Sequence, residues 1–162
     1  LPATTTSKRS ARVAALALLA QRRLTEAQLW KKLQARDYDD DEIIAAVESC
    51  KRDGYIDDHL YASLYVEGAR KAVGDARLRA DLIRRGIDRE AATAVVRSTG
   101  RDEAARIDAA YEKIMRTHAQ LSYSSVARRL ERLGFPTALI YRVLRERARD
   151  ALGPLLEDEN SA

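Results

Sequence analysis

Three stretches of this chain align end to end without a gap: TEAQLWKKLQARDYDDDEIIAAV at 25–47, GDARLRADLIRRGIDREAATAVV at 74–96 and SYSSVARRLERLGFPTALIYRVL at 122–144. Successive copies start 49 and 48 residues apart. Apolar residues recur at matching places: Leu29, Leu78 and Val126; Leu33, Leu82 and Leu130; Tyr38, Ile87 and Phe135; Val47, Val96 and Leu144. An apolar register that returns at a fixed period marks a repeated supersecondary unit, and it restricts the fold more than any single motif here.

Each copy reads as two helices around a short turn. In the middle copy Leu78 and Leu82 are i, i+4 neighbours on one face. Gly86 suits the left-handed position that ends a helix, and Asp88 offers an oxygen to cap the next one. The last copy uses Gly134, then Pro136 and Thr137 as a start signal. The first copy has Asp37 at the glycine position, with Asp39 and Asp40 available as caps. Thr25 with Gln28 matches a capping box.

A further helix precedes each pair, over roughly 11–22, 58–73 and 102–119. The last of these carries an apolar face of Ala105, Ile107, Ala110, Tyr111 and Ile114. Only 7 Gly and 3 Pro interrupt a chain rich in Ala, Leu and Arg, which favours helix throughout. The expected fold is all-α: three tandem three-helix repeats in an elongated, curved array. Module boundaries fall at 11–54, 55–99 and 100–150, between a basic, disordered N-terminus at 1–10 and an acidic, frayed tail at 151–162. A lone unit of this size buries little, so neighbouring modules are expected to lean on each other.

Charge is shared unevenly. Residues 25–58 carry five bases against ten carboxylates, residues 70–97 eight against four, and residues 122–149 seven arginines against two acids. The net charge of +4 and a pI near 9.3 lean towards an anionic partner. Arg70, Lys71, Arg77, Arg84 and Arg85 are candidates for one contact surface, and Arg128, Arg129 and Arg132 for another. Arginine outnumbers lysine in both, which suits bidentate pairing with phosphate or carboxylate. The competing reading is a solvated helix surface with internal ion pairs, such as Asp81 with Arg77, Arg84 or Arg85.

Catalytic chemistry is not evident. The chain has no glycine-rich phosphate loop. His59 and His118 lie in separate modules, away from zinc-ligand spacing. Asp57, Asp58 and His59 are consecutive, so a helix splays them apart. The run DDDE at 39–42 is a helix start, where the dipole favours carboxylates. Cys50, the one cysteine, reads as a small core residue, and Trp30 as a packing residue. Neither a metal nor a cofactor is expected, and no enzyme. The longest apolar run, Val13 to Ala20, is too short to span a bilayer and is followed by Arg22 and Arg23 with no cleavage site, so a monomeric, cytoplasmic protein is expected. The chain opens on Leu1 and not Met, which leaves room for an upstream portion.

The stretch GYIDD at 54–58 joins the first module to the second. Gly54 stops one helix, Tyr55 is placed to make the apolar contact of that stop, Asp57 caps the next helix, and Asp58 sits in its first turn. Leu60, Tyr61, Leu64 and Tyr65 are the expected buried face of that helix. The longer run GYIDDHLYASLYVEGARKAVGDARLRADLIRRGI resembles the central signature of the RecX family, bacterial regulators of the RecA recombinase. The resemblance rests on Gly54, Tyr55, Ile56, Asp57 and Asp58, the aromatic Tyr61, and the later pattern at Gly74, Arg77, Leu78, Leu82, Gly86 and Ile87. ALALLAQRRLTEAQLWKKL upstream is similar to the family's first module. The likeness covers nearly the whole chain and weakens in the third module. Phenylalanine is usual where Tyr61 stands, and glycine where Asp37 stands.

The resemblance implies a small, all-helical protein that binds RecA and lies in the groove of its filament on single-stranded DNA. It implies inhibition of ATPase, strand-exchange and coprotease activities, damping of the SOS response, and no catalysis by the protein itself. Two other readings remain at this level: a tandem helix-turn-helix-like protein that binds nucleic acid directly, and a helical scaffold for another partner.

Overall fold

The computed structural model describes residues 9–68, 72–98, 103–118 and 120–157, the last stretch without side chains beyond residue 151. Arg70 and Lys71 lie outside the described residues. Within them the chain is all-α, with nine helices: α1 (Ala11–Gln21), α2 (Glu26–Gln34), α3 (Asp40–Arg52), α4 (Asp58–Gly68), α5 (Asp75–Arg84), α6 (Arg89–Ser98), α7 (Glu103–Thr117), α8 (Tyr123–Arg132) and α9 (Thr137–Glu157). The helix pairs α2–α3, α5–α6 and α8–α9 coincide with the three sequence copies, and all twelve aligned apolar positions are buried.

The same turn closes the first helix of every pair. Asp37, Gly86 and Gly134 take positive φ of 60°, 91° and 88°. In each, the next residue's amide reaches back five residues to a helix carbonyl: Tyr38 to Leu33 (3.4 Å), Ile87 to Leu82 (3.1 Å) and Phe135 to Leu130 (3.3 Å). These bonds satisfy carbonyls that a helix end leaves orphaned, and they turn an apolar side chain inward. Gly54 repeats the geometry at φ 77°, with the Tyr55 amide bonded to the Cys50 carbonyl at 2.8 Å. Here Tyr55 itself is 57% exposed and the buried residue is Ile56. The apolar contact expected of Tyr55 therefore falls one residue later.

The chain packs as two compact units, Leu1–Leu64 with Leu82–Ala92, and Tyr65–Asp81 with Thr93–Ala162. In the first, α1, α2 and α3 enclose a core that includes Ala15, Leu29, Leu33, Ile43, Val47 and Cys50, with Trp30 half-buried against it. Thr25 and Asp39 both close full capping boxes, with Gln28 and Glu42. Removing such a cap typically costs about 1 kcal/mol. Cys50 is a fully buried free thiol, and burial raises its pKa.

In the second unit α7, α8 and α9 enclose Ile107, Ala110, Val126, Leu130, Phe135, Ile140, Val143 and Leu144. Arg106 is drawn under this unit, where it donates to the Val73 carbonyl (2.7 Å) and pairs with Asp75. Arg147 bridges Asp108 (3.3 Å) and Glu112 (3.2 Å), with its guanidinium over the Tyr111 ring.

Several expectations need correction. On α4 the fully buried residue is Ala62, while Leu60 and Leu64 are exposed and Tyr61 and Tyr65 half-buried. A small residue lets the helix approach closely, so the buried stripe centres on it and not on the leucines. Ala105 on α7 is exposed, which leaves Ile107, Ala110, Tyr111 and Ile114 as the inward stripe. Finally, α9 runs to Glu157, past the expected fraying after Arg149.

Candidate anion-binding interface

The two units each contain a contact between successive sequence copies, and the two contacts share a register. In the first unit the Thr25 hydroxyl donates to the Arg85 carbonyl at 2.6 Å. In the second the Gly74 amide donates to the Leu133 carbonyl at 2.8 Å. Thr25 and Gly74 are each the first residue of a copy, and Arg85 and Leu133 each the twelfth of the next. A carboxylate then covers the next amide along. Asp58 accepts from the Glu26 amide at 2.9 Å, and Glu103 accepts from the Asp75 amide at 2.8 Å. Both contacts need glycine. A Cβ on Gly86 would lie 2.2 Å from the Ala27 Cβ, and one on Gly74 would lie 2.1 Å from the Gly134 oxygen.

The GYIDD residues belong to this framework. Asp57 caps α4, accepting from the Leu60 amide at 2.8 Å. Asp58 does more than sit in the first turn of α4, because it also caps α2. Burial raises its pKa, the Glu26 amide opposes that rise, and the Glu26 carboxylate adds to it. Lys51 bonds Glu26 at 2.7 Å, and that hydrogen bond raises the lysine pKa. At the other extreme, Asp88 is exposed and accepts from the amides of Ala91 and Glu90, which lower its pKa.

The sequence-predicted basic residues part into different environments. Arg77 is exposed but ion-paired with Asp81 at 3.3 Å, and Asp81 also accepts from the Tyr65 hydroxyl at 3.1 Å. Arg84 is exposed at the end of α5, while Arg85 is half-buried. Arg128 is exposed on α8. Arg129 and Arg132 come together on the second unit, where they line a cleft of about 450 Å³. The floor of that cleft is apolar, made by Ala72, Val73, Ala110, Ile114 and Leu133. Its remaining polar lining is Lys113, Thr117 and His118, with no carboxylate among the lining residues.

Helical spacing explains the cleft. Ala110, Lys113, Ile114 and Thr117 stand three and four apart on α7 and share a face, and Arg129 and Arg132 are i, i+3 on α8. Lys113, Arg129 and Arg132 make no ion pair among the described residues, unlike Arg77, Arg106 and Arg147. A half-buried guanidinium beside apolar walls attracts an anion more strongly than one in open water. The cleft can therefore hold a phosphate or carboxylate next to a flat apolar group. Lys113 and His118 were missed in the sequence, though the shared face of α7 was a readable signal for Lys113. Among the described residues no three of His, Cys, Asp and Glu gather where they could hold a metal ion, and no helix is long and apolar enough to cross a membrane.

The fold and its twice-used contact define a tandem three-helix repeat protein. Residues 11–50 match the family model described as RecX, first three-helix domain. The chain is 34% identical over 122 residues to the regulatory protein RecX of Thermus thermophilus, covering 75% of this chain and 81% of that protein. It is 31% identical over 143 residues to the regulatory protein RecX of Thermobifida fusca, covering 84% and 77%. The crystal structure of RecX from Lactobacillus salivarius superimposes with a TM-score of 0.73 at 21% identity, covering 84% of this chain and 93% of that one, and attests the fold. The chain belongs to the RecX family of regulatory proteins.

Proposed function

We propose that this chain is a negative regulator of the RecA recombinase, acting in the cytoplasm and catalysing no reaction itself. It binds RecA and its filament on single-stranded DNA, lies in the filament groove, and inhibits ATPase, strand-exchange and coprotease activities. In this way it modulates recombinational DNA repair and the SOS response. The observation that carries the reading is family membership over most of the chain. The basic cleft supports it, since cations that make no ion pair among the described residues, beside an apolar floor, suit a phosphate backbone or an acidic protein face. Repeated modules also let several weak contacts add through effective concentration.

The contact residues proposed are Arg84, Arg85, Arg128, Arg129 and Arg132, with Arg70, Lys71 and Arg77 in support. The test is RecA ATP hydrolysis on single-stranded DNA with this protein titrated in. Inhibition is the expected result, and an unchanged rate at a stoichiometric excess overturns the reading. The paired reversal Arg129→Glu with Arg132→Glu should weaken inhibition at least tenfold while the helical signal stays intact. Arg84→Glu with Arg85→Glu tests the other cluster, and unchanged inhibition removes that cluster from the mechanism.

A second reading, direct binding of nucleic acid without RecA, is favoured by the cleft alone. It predicts salt-dependent binding to single-stranded DNA in RecA-free solution. Each lost phosphate contact should reduce the salt slope by about 0.7.

A further inference from the structure

The second unit has another groove, which shares no lining residue with the basic cleft. Tyr123, Ser124 and Ala127 of α8 and Tyr141, Leu144 and Arg145 of α9 border about 390 Å³ of open space. Ser122 caps α8, which makes Tyr123 its first residue, and Tyr141 stands in the second turn of α9. Leu144 is buried beneath the groove, whereas the two tyrosines are 54% and 56% exposed. A tyrosine ring ordinarily gains from burial, so two rings left open beside one groove mark a surface that a partner covers.

The repeat itself does not require aromatic rings at these places. By alignment Tyr123 stands where the earlier copies have Glu26 and Asp75, and Tyr141 where they have Ile44 and Thr93. Cations accompany the pair. Arg128, Arg142 and Arg145 are exposed, and the Arg145 Nε donates to the Tyr141 carbonyl one turn back at 3.3 Å. At the place of Arg142 the earlier copies have Ala45 and Ala94. None of the three arginines makes an ion pair among the described residues, and no carboxylate is among those lining the groove.

We propose that this groove is a stacking site for the unpaired bases of single-stranded DNA, with Tyr123 and Tyr141 each taking a base on its ring and Arg128, Arg142 and Arg145 holding the phosphates beside them. The proposal rests on the direct-binding reading given above and adds contacts to the bases. Two observations select that ligand. The rings offer flat faces, and every base has a flat face to set against them, whatever the sequence. The helix pair bearing the groove carries seven arginines against two acids, which complements a phosphate strand. An acidic peptide would satisfy the arginines but has no flat group for the rings. A duplex keeps its bases stacked on one another, out of reach of an exposed ring.

The experiment is fluorescence anisotropy with the full chain, RecA absent, at about 50 mM salt. The probes are a labelled oligothymidylate of about 12 nucleotides and an abasic sugar–phosphate strand of the same length. The abasic strand should bind about tenfold or more weakly, because it keeps the charge and loses the stacking. Tyr123→Ala and Tyr141→Ala should each weaken oligothymidylate binding about tenfold, with helical content and affinity for the abasic strand unchanged. Tyr141→Phe keeps the ring and should keep the affinity. Equal affinity for the two strands, full oligothymidylate binding by both alanine variants, or equally effective competition by polyglutamate overturns the proposal. If strand binding then still depends on Arg129 and Arg132, the direct-binding reading survives without it. Failure of either strand to bind at all overturns both.

Discussion

The two inter-copy contacts use one register but different chemistry. At Thr25 the donor to the next turn is a side-chain hydroxyl, and the close neighbour of Gly86 is the Ala27 methyl. At Gly74 the donor is a backbone amide, and the close neighbours are backbone atoms of Gly134 and Phe135. A repeat thus fixes where units touch, while the individual copy decides which atoms do it. A contact made of side chains can be altered and compensated by mutation. A contact made of backbone is tuned only through the absence of a Cβ.

The largest effects come from filling those gaps. Gly86→Ala and Gly74→Ala should each lower unfolding stability by about 3 kcal/mol in urea titrations, by overpacking and, at Gly86, positive φ as well. Adding Ala27→Gly should restore part of the loss for Gly86→Ala, since the clash there is between two methyl carbons. No side-chain change should rescue Gly74→Ala, and a rescue of both alike would erase the distinction. Gly54→Ala is the control, with positive φ but nothing within 4 Å of the new Cβ, and should cost roughly 1–2 kcal/mol.

Thr25→Val comes next. It removes the bond to Arg85 and the cap on Gln28 together, and should cost roughly 1–2 kcal/mol. A loss confined to a few tenths would mean that neither the cap nor the bond to Arg85 stabilises the fold measurably.

Proton linkage separates Asp58 from Asp88. Burial makes native Asp58 hold its proton to higher pH than the unfolded chain does. Its contribution is therefore full at low pH and declines as pH rises from the ordinary aspartate range through the raised native value. Asp88 runs the other way: its contribution is present above the ordinary range and is lost as pH falls through the lowered native value. Carboxyl-carbon NMR titration should place the two on opposite sides of a free aspartate, and Asp58→Asn should flatten the falling limb. The smallest effect belongs to Arg77→Ala, which breaks an exposed pair and should cost less than about 0.5 kcal/mol in the same urea titration.

The repeat was legible because burial and period leave the same trace in sequence. The positions from Leu29 to Leu144 could be read from spacing alone, and the left-handed residues Gly54, Gly86 and Gly134 from glycine after a helix. Asp37 was readable only by alignment with its glycine counterparts. The α4 face misled because Leu60 and Leu64 outweigh Ala62 in apolarity, though closeness of approach decides which side turns inward. The basic cleft was half legible. Arg129 and Arg132 announce themselves as a cluster, but their meeting with Lys113 and His118 depends on how α7 lies against α8, and no local spacing encodes that. The carboxylates that pair with Arg106 and Arg147 come from other helices in the same non-local way, whereas Arg77 with Asp81 is an i, i+4 pair that spacing alone offers.

Cys50 has a consequence of its own. It is the single cysteine of the chain, and it is fully buried in the core of the first unit. A thiol reagent can therefore reach it only when that core opens, so the labelling rate is a stopwatch for one half of the molecule. Timed with and without a filament present, that single sulfur would register whether binding tightens the first unit or pries it loose, with no introduced probe.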